Sequence, residues 1–177
     1  MPKLGGRGQQ PCNRFELRLG KSLRDGKTVL CSEIWVDGQH LDEPHPIDLP
    51  LLVQSLHVPA CYEIFTCGCG IGGCAGIVEG IHVTHDAGLV RWFFRRPQSA
   101  GSLIDPALSE WEKTAKPVTL TFERTQMLNA VGAYLEMIRT TVANDAVKFC
   151  WPVYGLSVQD VLKMNPNQPF YEIEEGA

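Results

Sequence analysis

Three stretches of the chain alternate apolar with polar residues, and this period of two is the strongest constraint on how the chain can fold. The apolar positions are Phe15, Leu17 and Leu19, then Val90, Trp92 and Phe94, and then Val118, Leu120 and Phe122. Successive side chains on a strand point to opposite faces of the sheet, so each stretch predicts a strand with one buried and one solvated face.

Short turn signals connect these predicted strands into hairpins. Asp-Gly pairs at positions 25–26 and 37–38 bracket the β-rich stretch 28–36, and such pairs readily adopt the positive φ angles of tight turns. A loop near residues 85–88 joins the strand of Val90 to an earlier strand in which Ile81 and Val83 face the core. An apolar and aromatic stretch at 62–66 predicts one more buried strand.

Helical spacing is clearest after the last predicted strand. The apolar positions there are Met127, Val131, Tyr134, Leu135, Ile138 and Val142. This spacing predicts one long helix that packs across the sheet. Capping signals at Asp48, Asp105 and Ser157 predict three short helices, of which the second has Pro106 in its first turn and Trp111 as its anchor.

Length and composition favour a single domain. The chain has 177 residues, of which 44% are hydrophobic and 20% charged, and these are values of a folded globular protein. We expect a flexible arm over residues 1–12, one domain over 13–165 and a flexible tail over 166–177. The predicted class is α+β, a mainly antiparallel sheet built from hairpins with one long helix in the C-terminal half and short helices packed on it.

Charge and cysteine content restrict the classes of function and the compartment. A net charge of -4 argues against general binding of nucleic acids or anionic membranes, which depends on concentrated positive charge. The first ten residues contain no apolar run, so neither a signal peptide nor a membrane span is expected there. We therefore expect a cytoplasmic protein whose seven cysteines are reduced, because that compartment disfavours disulfides.

The chemically unusual stretch is a segment of cysteine and glycine at residues 67–76. Cys67 and Cys69 are two residues apart and leave the same face of an extended chain, and the glycines let Cys74 fold back toward them. Structural zinc requires four ligands, so these three thiols need one more. His82 is the more accessible of the two histidines on the following strand, and it is the fourth ligand that we predict. The other candidates for the fourth position are Cys61, His57, His85, Cys31 and Cys150.

Two other interpretations of the three thiols stay open. Free cysteines often pack as small apolar groups, and the glycines then serve only a tight turn. A reactive thiol is the second interpretation, and it requires a nearby cation, histidine or helix N-terminus that lowers the thiol pKa. No Cys-x-x-Cys pair is present, which disfavours redox chemistry.

The residues around the thiols resemble a known group of sequences. The motif F-x-C-x-C-G-x4-C-A-G within residues 63–77, together with the hairpin at 90–92, resembles a group of short uncharacterised bacterial proteins. The similarity extends loosely to residues 122–126, and it implies no activity for any residue. The cysteine spacing is also similar to SWIM-type zinc fingers, although Gly76 occupies the position of their histidine.

A second candidate surface lies on the strand at 91–96, where arginines are interleaved with aromatic residues. These residues are Arg91, Arg95 and Arg96 with Trp92, Phe93 and Phe94. Such a strand can stack bases of single-stranded nucleic acid, but a half-buried strand shows the same alternation. The leading hypothesis is a non-enzymatic binding or interaction module in which the cysteine loop is structural, and zinc held by this loop is one of the interpretations that stay open. A thiol-dependent enzyme using Cys67, Cys69 or Cys74 is second, and nucleic-acid binding is third.

Overall fold

The computed structural model describes residues 12–24, 27–41, 46–66, 79–97, 115–142, 148–149 and 158–172. The strands are β1 (Phe15–Arg24), β2 (Lys27–Val36), β3 (Gln39–His40), β4 (Cys61–Tyr62), β5 (Ile81–Asp86), β6 (Leu89–Pro97), β7 (Ala115–Glu123) and β8 (Lys148–Phe149). The helices are α1 (Leu49–Ser55), α2 (Arg124–Val142) and α3 (Val158–Leu162). The predicted α+β class is confirmed, and α2 is the long helix.

The described strands form two four-stranded sheets. In the first sheet β1 pairs antiparallel with β2, while β3 and the parallel strand β8 lie along the other side of β2. The second sheet has the order β4-β5-β6-β7 and is antiparallel throughout. Both predicted hairpins are present, and the pairing is therefore mainly antiparallel, as predicted, although it is divided between two sheets.

Two-residue turns close two of the hairpin connections. Asp37 and Gly38 have φ angles of 51° and 79°, and Ala87 and Gly88 have φ angles of 47° and 84°. Positive φ at both central positions matches the twist of paired strands, so these turns fix the register of the residues on either side. The turns predicted at 37–38 and 85–88 are confirmed, and the turn predicted at 25–26 lies outside the described residues.

The buried apolar residues of the described chain form one core between the inner faces of the two sheets and α2. Phe15, Trp92 and Phe122 come from β1, β6 and β7 and meet edge to face, with ring centroids 5.2 to 6.1 Å apart. Edge-to-face packing is the favourable arrangement for aromatic rings, and it adds to the energy of burial. The apolar side of α2 is buried against these sheets through Met127, Val131, Tyr134, Leu135 and Ile138. The predicted core faces of the strands and of the long helix are confirmed.

Hydrogen bonds join the two sheets edge to edge beside this core. The Asn13 backbone N–H donates to the Thr121 carbonyl at 2.7 Å, and the Thr121 N–H donates to Asn13 Oδ1 at 2.8 Å. Gln126 of α2 accepts from the Phe15 N–H at 3.3 Å and donates to the Phe15 carbonyl at 3.1 Å. Its side-chain amide thus takes the place of a strand partner for β1, and α2 is tied to the edge of the first sheet.

Helix α1 begins at a buried acid. Asp48 accepts the Leu51 backbone N–H at 2.9 Å, and this confirms the predicted N-cap. The strand predicted at 62–66 is divided, because β4 includes Cys61 and Tyr62 while Phe65 forms an isolated bridge with Ile47.

Residues 158–172, here called the C-terminal segment, pack against α1 and α2. Arg139 of α2 donates to the carbonyls of Leu162 and Met164 at 2.7 and 3.0 Å. Gln54 Oε1 accepts the Tyr171 N–H at 3.0 Å, and the Pro166 carbonyl lies 2.8 Å from His57 Nε2. The domain boundary predicted at residue 165 stays a prediction. These bonds attach residue 171 to α1 and residue 166 to the turn that follows α1. The short helix predicted from Asp105 lies outside the described residues.

Replacement of Gln126 by methionine tests the joint between α2 and β1. The variant leaves the Phe15 N–H and carbonyl without their partner in a partly buried position, and we expect the free energy of unfolding to fall by about 1 to 3 kcal/mol. Chemical denaturation measures the change. Asn129→Ala on the exposed side of the same helix is the matched control and is expected to be nearly neutral. Equal effects of the two substitutions would contradict the assigned role.

The buried Asp48 predicts an unusual dependence of stability on pH. Burial raises the pKa of its carboxyl to about 6, and the hydrogen bond from Leu51 only partly opposes this. Because the folded-state pKa is above the ordinary value, protonation of Asp48 stabilises the folded protein relative to the unfolded chain. This stabilisation is complete below about pH 4 and is lost as the pH rises through about 6.

Asp48→Asn keeps a good capping side chain without the charge. Its stability relative to the unmodified protein should therefore increase by about 2 kcal/mol between about pH 4 and pH 8. Urea denaturation at both pH values measures this difference. A difference that stays constant with pH would show that Asp48 is not buried in its charged form.

Candidate functional site

The three predicted zinc-ligating thiols, Cys67, Cys69 and Cys74, lie outside the described residues. The described chain stops at Thr66 and resumes at Glu79. Thr66 is buried, and its N–H donates to the Pro46 carbonyl at 2.9 Å, so the chain before the thiols is fixed to the core. The described side chains beside these two points therefore define the candidate site.

Cys61 is the thiol that the structure places beside the point where the chain resumes. It lies on β4, and its Sγ donates to the Glu79 carbonyl at 2.9 Å. Gly80 follows with a φ angle of 71°, and a Cβ added there would lie 2.9 Å from Cys61 Sγ. Glycine at position 80 thus allows the positive φ and leaves room for the thiol.

The electrostatic surroundings of Cys61 favour the protonated thiol. Partial burial raises the pKa of the thiol, and the negative charges of Glu63 and Glu79 raise it further. A thiol acting as a nucleophile needs the opposite environment, in which a cation or a helix N-terminus lowers the pKa. The same two carboxylates would attract a bound cation, whose charge would in turn favour the thiolate.

His82, the predicted fourth ligand, is exposed on β5 directly opposite Cys61. Its side chain is on the face opposite the buried Ile81 and Val83, as the alternation predicted. Residues directly opposite in an antiparallel pair have Cβ atoms about 5 Å apart, so Cys61 and His82 are neighbours on one face. The structure therefore brings together two of the candidates for the fourth zinc ligand.

The other candidates for the fourth ligand are engaged elsewhere or lie on other elements. Both ring nitrogens of His57 have hydrogen-bond partners, and Nε2 of His85 lies 2.8 Å from the Ser55 carbonyl. Cys31 lies on β2 in the first sheet, and Cys150 lies outside the described residues. Within the part of the chain that the structure describes, no three Cys, His, Asp or Glu side chains are arranged to hold a metal ion.

The arginine-rich strand β6 presents one aromatic side chain to solvent. Trp92 and Phe94 are buried in the core, whereas Phe93 is 47% exposed. Arg91 lies on the same outer face and forms an ion pair with Asp86 at 3.1 Å. The predicted stacking strip is thus reduced from three aromatic residues to one, and its neighbouring cation is already paired.

A stack of side chains on the outer face of the first sheet is absent from the sequence predictions. The Trp35 and His40 rings are parallel within 6° with centroids 5.3 Å apart, and the Arg18 guanidinium lies 4.1 Å from the Trp35 ring. The turn at 37–38 could have predicted the contact between Trp35 and His40, because a two-residue loop there places position 35 opposite position 40. Such a stack is typical of cross-strand packing.

Comparison with known proteins finds no matching family model, no similar curated protein and no similar solved structure. None of the helices in the described part of the chain has the length and apolar character needed to span a membrane.

Substitution of Gly80 tests the packing of Cys61. Gly80→Ala introduces a Cβ against Cys61 Sγ and 3.1 Å from the Tyr62 carbonyl oxygen. We expect Gly80→Ala to lower the free energy of unfolding by roughly 1 to 3 kcal/mol more than Gly88→Ala does. Gly88 has a similar positive φ but open space around it. Thermal unfolding measures both variants. Adding Cys61→Ala to Gly80→Ala should recover part of this excess loss of stability. If the loss is the same with and without the thiol, Cys61 Sγ does not pack against position 80.

Proposed function

We propose that this protein is a non-enzymatic binding or interaction module whose cysteine segment holds a structural zinc ion. The observation that carries the proposal is the Cys61 thiol, fixed against Glu79 where the chain resumes after Cys67, Cys69 and Cys74. Three thiols in the sequence and a fourth on an adjacent strand form the four-cysteine set typical of structural zinc. A reducing cytoplasm keeps such thiols available for the metal.

Cys61 is a better candidate than His82 for the fourth ligand. Its Sγ points toward the backbone of Glu79, whereas His82 is exposed to solvent on the neighbouring strand. The negative charges of Glu63 and Glu79 disfavour a free thiolate and favour a bound cation. His82 remains the second candidate, because it lies opposite Cys61 and its imidazole can ligate zinc in a mixed site.

The two competing functions have weaker support from the described residues. A thiol-dependent enzyme using Cys67, Cys69 or Cys74 would need a cation to activate the thiol, and the charged residues that flank the cysteine segment in the sequence, Glu63 and Glu79, are negative. Binding of single-stranded nucleic acid would use the outer face of β6, where Phe93 is the exposed aromatic residue.

Metal analysis of protein purified without added zinc tests the proposal. We expect about one zinc per chain, and Cys61→Ser should lower both the zinc content and the midpoint of thermal unfolding, because metal binding contributes to folding. Cys12→Ser is the matched control, since Cys12 is an exposed cysteine outside the site, and it should change neither quantity. His82→Asn should keep the zinc if Cys61 is the fourth ligand.

The outcomes separate the three hypotheses. Full zinc content in Cys61→Ser together with a loss in His82→Asn would assign the fourth position to His82. Protein without metal, in which one thiol reacts rapidly with an alkylating reagent at neutral pH, would overturn the zinc site and favour the thiol enzyme. If the protein contains no metal and its thiols are unreactive, the only remaining interpretation is that the thiols pack as small apolar groups.

A further inference from the structure

Strand β1 is at the edge of the first sheet in the described part of the chain. It pairs with β2, and the register between the two strands runs without a bulge over their whole length. On its other side, the bonds among described residues lie near its start, where Asn13 bonds to the second sheet and Phe15 to α2. Among the described residues, positions 17–21 therefore form an open edge.

The alternation of the backbone determines which groups face this open edge. The Asp37 N–H donates to the Arg14 carbonyl on the side of β2, whereas both backbone groups of Phe15 bond to α2 on the other side. Successive residues of an antiparallel strand alternate between these two sides. The residues whose N–H and carbonyl groups face away from β2, without a hydrogen-bond partner in the described part of the chain, are thus Leu17, Leu19 and Lys21.

Helix α2 leaves this edge after its first turns. Gln126 lies beside Phe15 at the edge, whereas Tyr134, about two turns later, donates to the Ser32 hydroxyl of β2 at 2.6 Å. The helix therefore passes across the inner face of the first sheet and away from residues 17–21. These residues contain no proline, and an edge without a proline or a bulge is a template for a further strand.

A carboxylate of β2 lies over the open edge on the outer face of the sheet. Gly20 is buried beneath the Glu33 side chain, because a Cβ added at Gly20 would overlap the Glu33 carboxylate. One oxygen of this carboxylate accepts the Trp35 Nε1 hydrogen at 2.9 Å. Among the side chains that the structure describes, none forms an ion pair with Glu33. The glycine thus lets an unpaired negative charge reach the edge strand.

We propose that β1 pairs antiparallel with β1 of a second copy of this chain, about a two-fold axis at Leu19, so that the two first sheets form one continuous sheet. In this register Leu19 lies opposite Leu19 of the other copy, and Leu17 lies opposite Lys21. Each hydrogen-bonded pair exchanges two bonds, so the three pairs give about six backbone hydrogen bonds. The dimer uses no cysteine. It goes beyond the proposed zinc site and does not depend on it.

The side chains are complementary in this register. On the outer face, Arg18 lies opposite Gly20 of the other copy and therefore faces the Glu33 carboxylate that covers that glycine. The two-fold axis produces this pairing of opposite charges twice. The Arg18 side chain is 44% exposed and its partner Glu16 lies on the same surface, so it can turn toward the second copy. On the inner face the two Leu19 side chains meet.

The neighbouring registers place like charges together. With the axis at Gly20, the two Glu33 carboxylates would face each other above the paired glycines. With the axis at Arg18, the two arginines would be directly opposite, and the pairing would also need backbone groups of Phe15 that are already bonded to Gln126. Like charges directly opposite each other destabilise a strand pair. The charges therefore select the axis at Leu19, and they favour a second copy over an unrelated strand.

Hydrogen exchange of the full chain at two protein concentrations tests the dimer. The interface is small, so we expect a dissociation constant on the order of 100 µM. Amide exchange of Leu17, Leu19 and Lys21 should then slow about fourfold from about 10 µM to about 1 mM, by mass action. The amides of Glu16 and Arg18 are the matched controls, because they bond to β2 within the chain and should not change. Sedimentation equilibrium measures the mass over the same range.

Charge reversal tests the register. Arg18→Glu and Glu33→Arg each place like charges together twice, and each should raise the dissociation constant about tenfold. The variant with both substitutions restores opposite charges, and its dissociation constant should return to within about threefold of that of the unmodified protein. Arg91→Glu is the control on the outer face of the second sheet and should change nothing. Exchange of the Val83 amide, which bonds to the Ala60 carbonyl, verifies that each variant is folded.

Four outcomes would overturn the proposal. A monomer at every concentration would exclude the second copy and leave the edge to an extended segment of another protein. A dimer in which the three amides exchange at an unchanged rate would use a different surface. Slow exchange of these amides in a monomer would show that the chain covers its own edge. Failure of the double charge reversal to restore association would exclude the contact between Arg18 and Glu33.

Discussion

The amide side chain of Gln126 holds the edge of the first sheet to the long helix, and the rest of the fold depends on this contact. It bonds to both backbone groups of Phe15, the residue whose ring begins the aromatic cluster with Trp92 and Phe122. Two residues earlier, Asn13 bonds to the edge of the second sheet at Thr121. Within three residues of chain, at and just before the start of β1, the first sheet is thus fixed to a helix, to the second sheet and to the core, and the two sheets can enclose one apolar interior.

This joint also determines where the candidate site can lie. Strand β7 is at the joint, and β4 with Cys61 is at the opposite edge of the second sheet. An edge strand has unpaired backbone groups on one side. Cys61 and His82 are exposed because they lie on the outer face of this sheet, while Tyr62 and Ile81 on its inner face are buried. Side chains on the outer face at this edge can be changed without disturbing the joint.

Sequence periodicity predicted the elements well because burial on one face is a local property of a strand or helix. The faces of Ile81, Val83 and His82 followed directly from the alternation, as did the buried positions of α2. The way in which the two sheets are joined could not be predicted in this way, because it depends on single polar residues such as Asn13 and Gln126. The position of Cys61 beside Glu79 depends on a pairing between strands separated by 18 residues, and no local pattern contains this information.

The buried cap of α1 makes the stability of the fold depend on pH. Protonation of Asp48 at the beginning of the helix removes a buried charge and stabilises the fold. This effect acts on the whole fold because Asp48 belongs to the core, where its side chain accepts the Leu51 N–H and its backbone N–H donates to the Ile64 carbonyl. A moderate fall in pH therefore strengthens the attachment of α1 to the chain that leads to the cysteine segment.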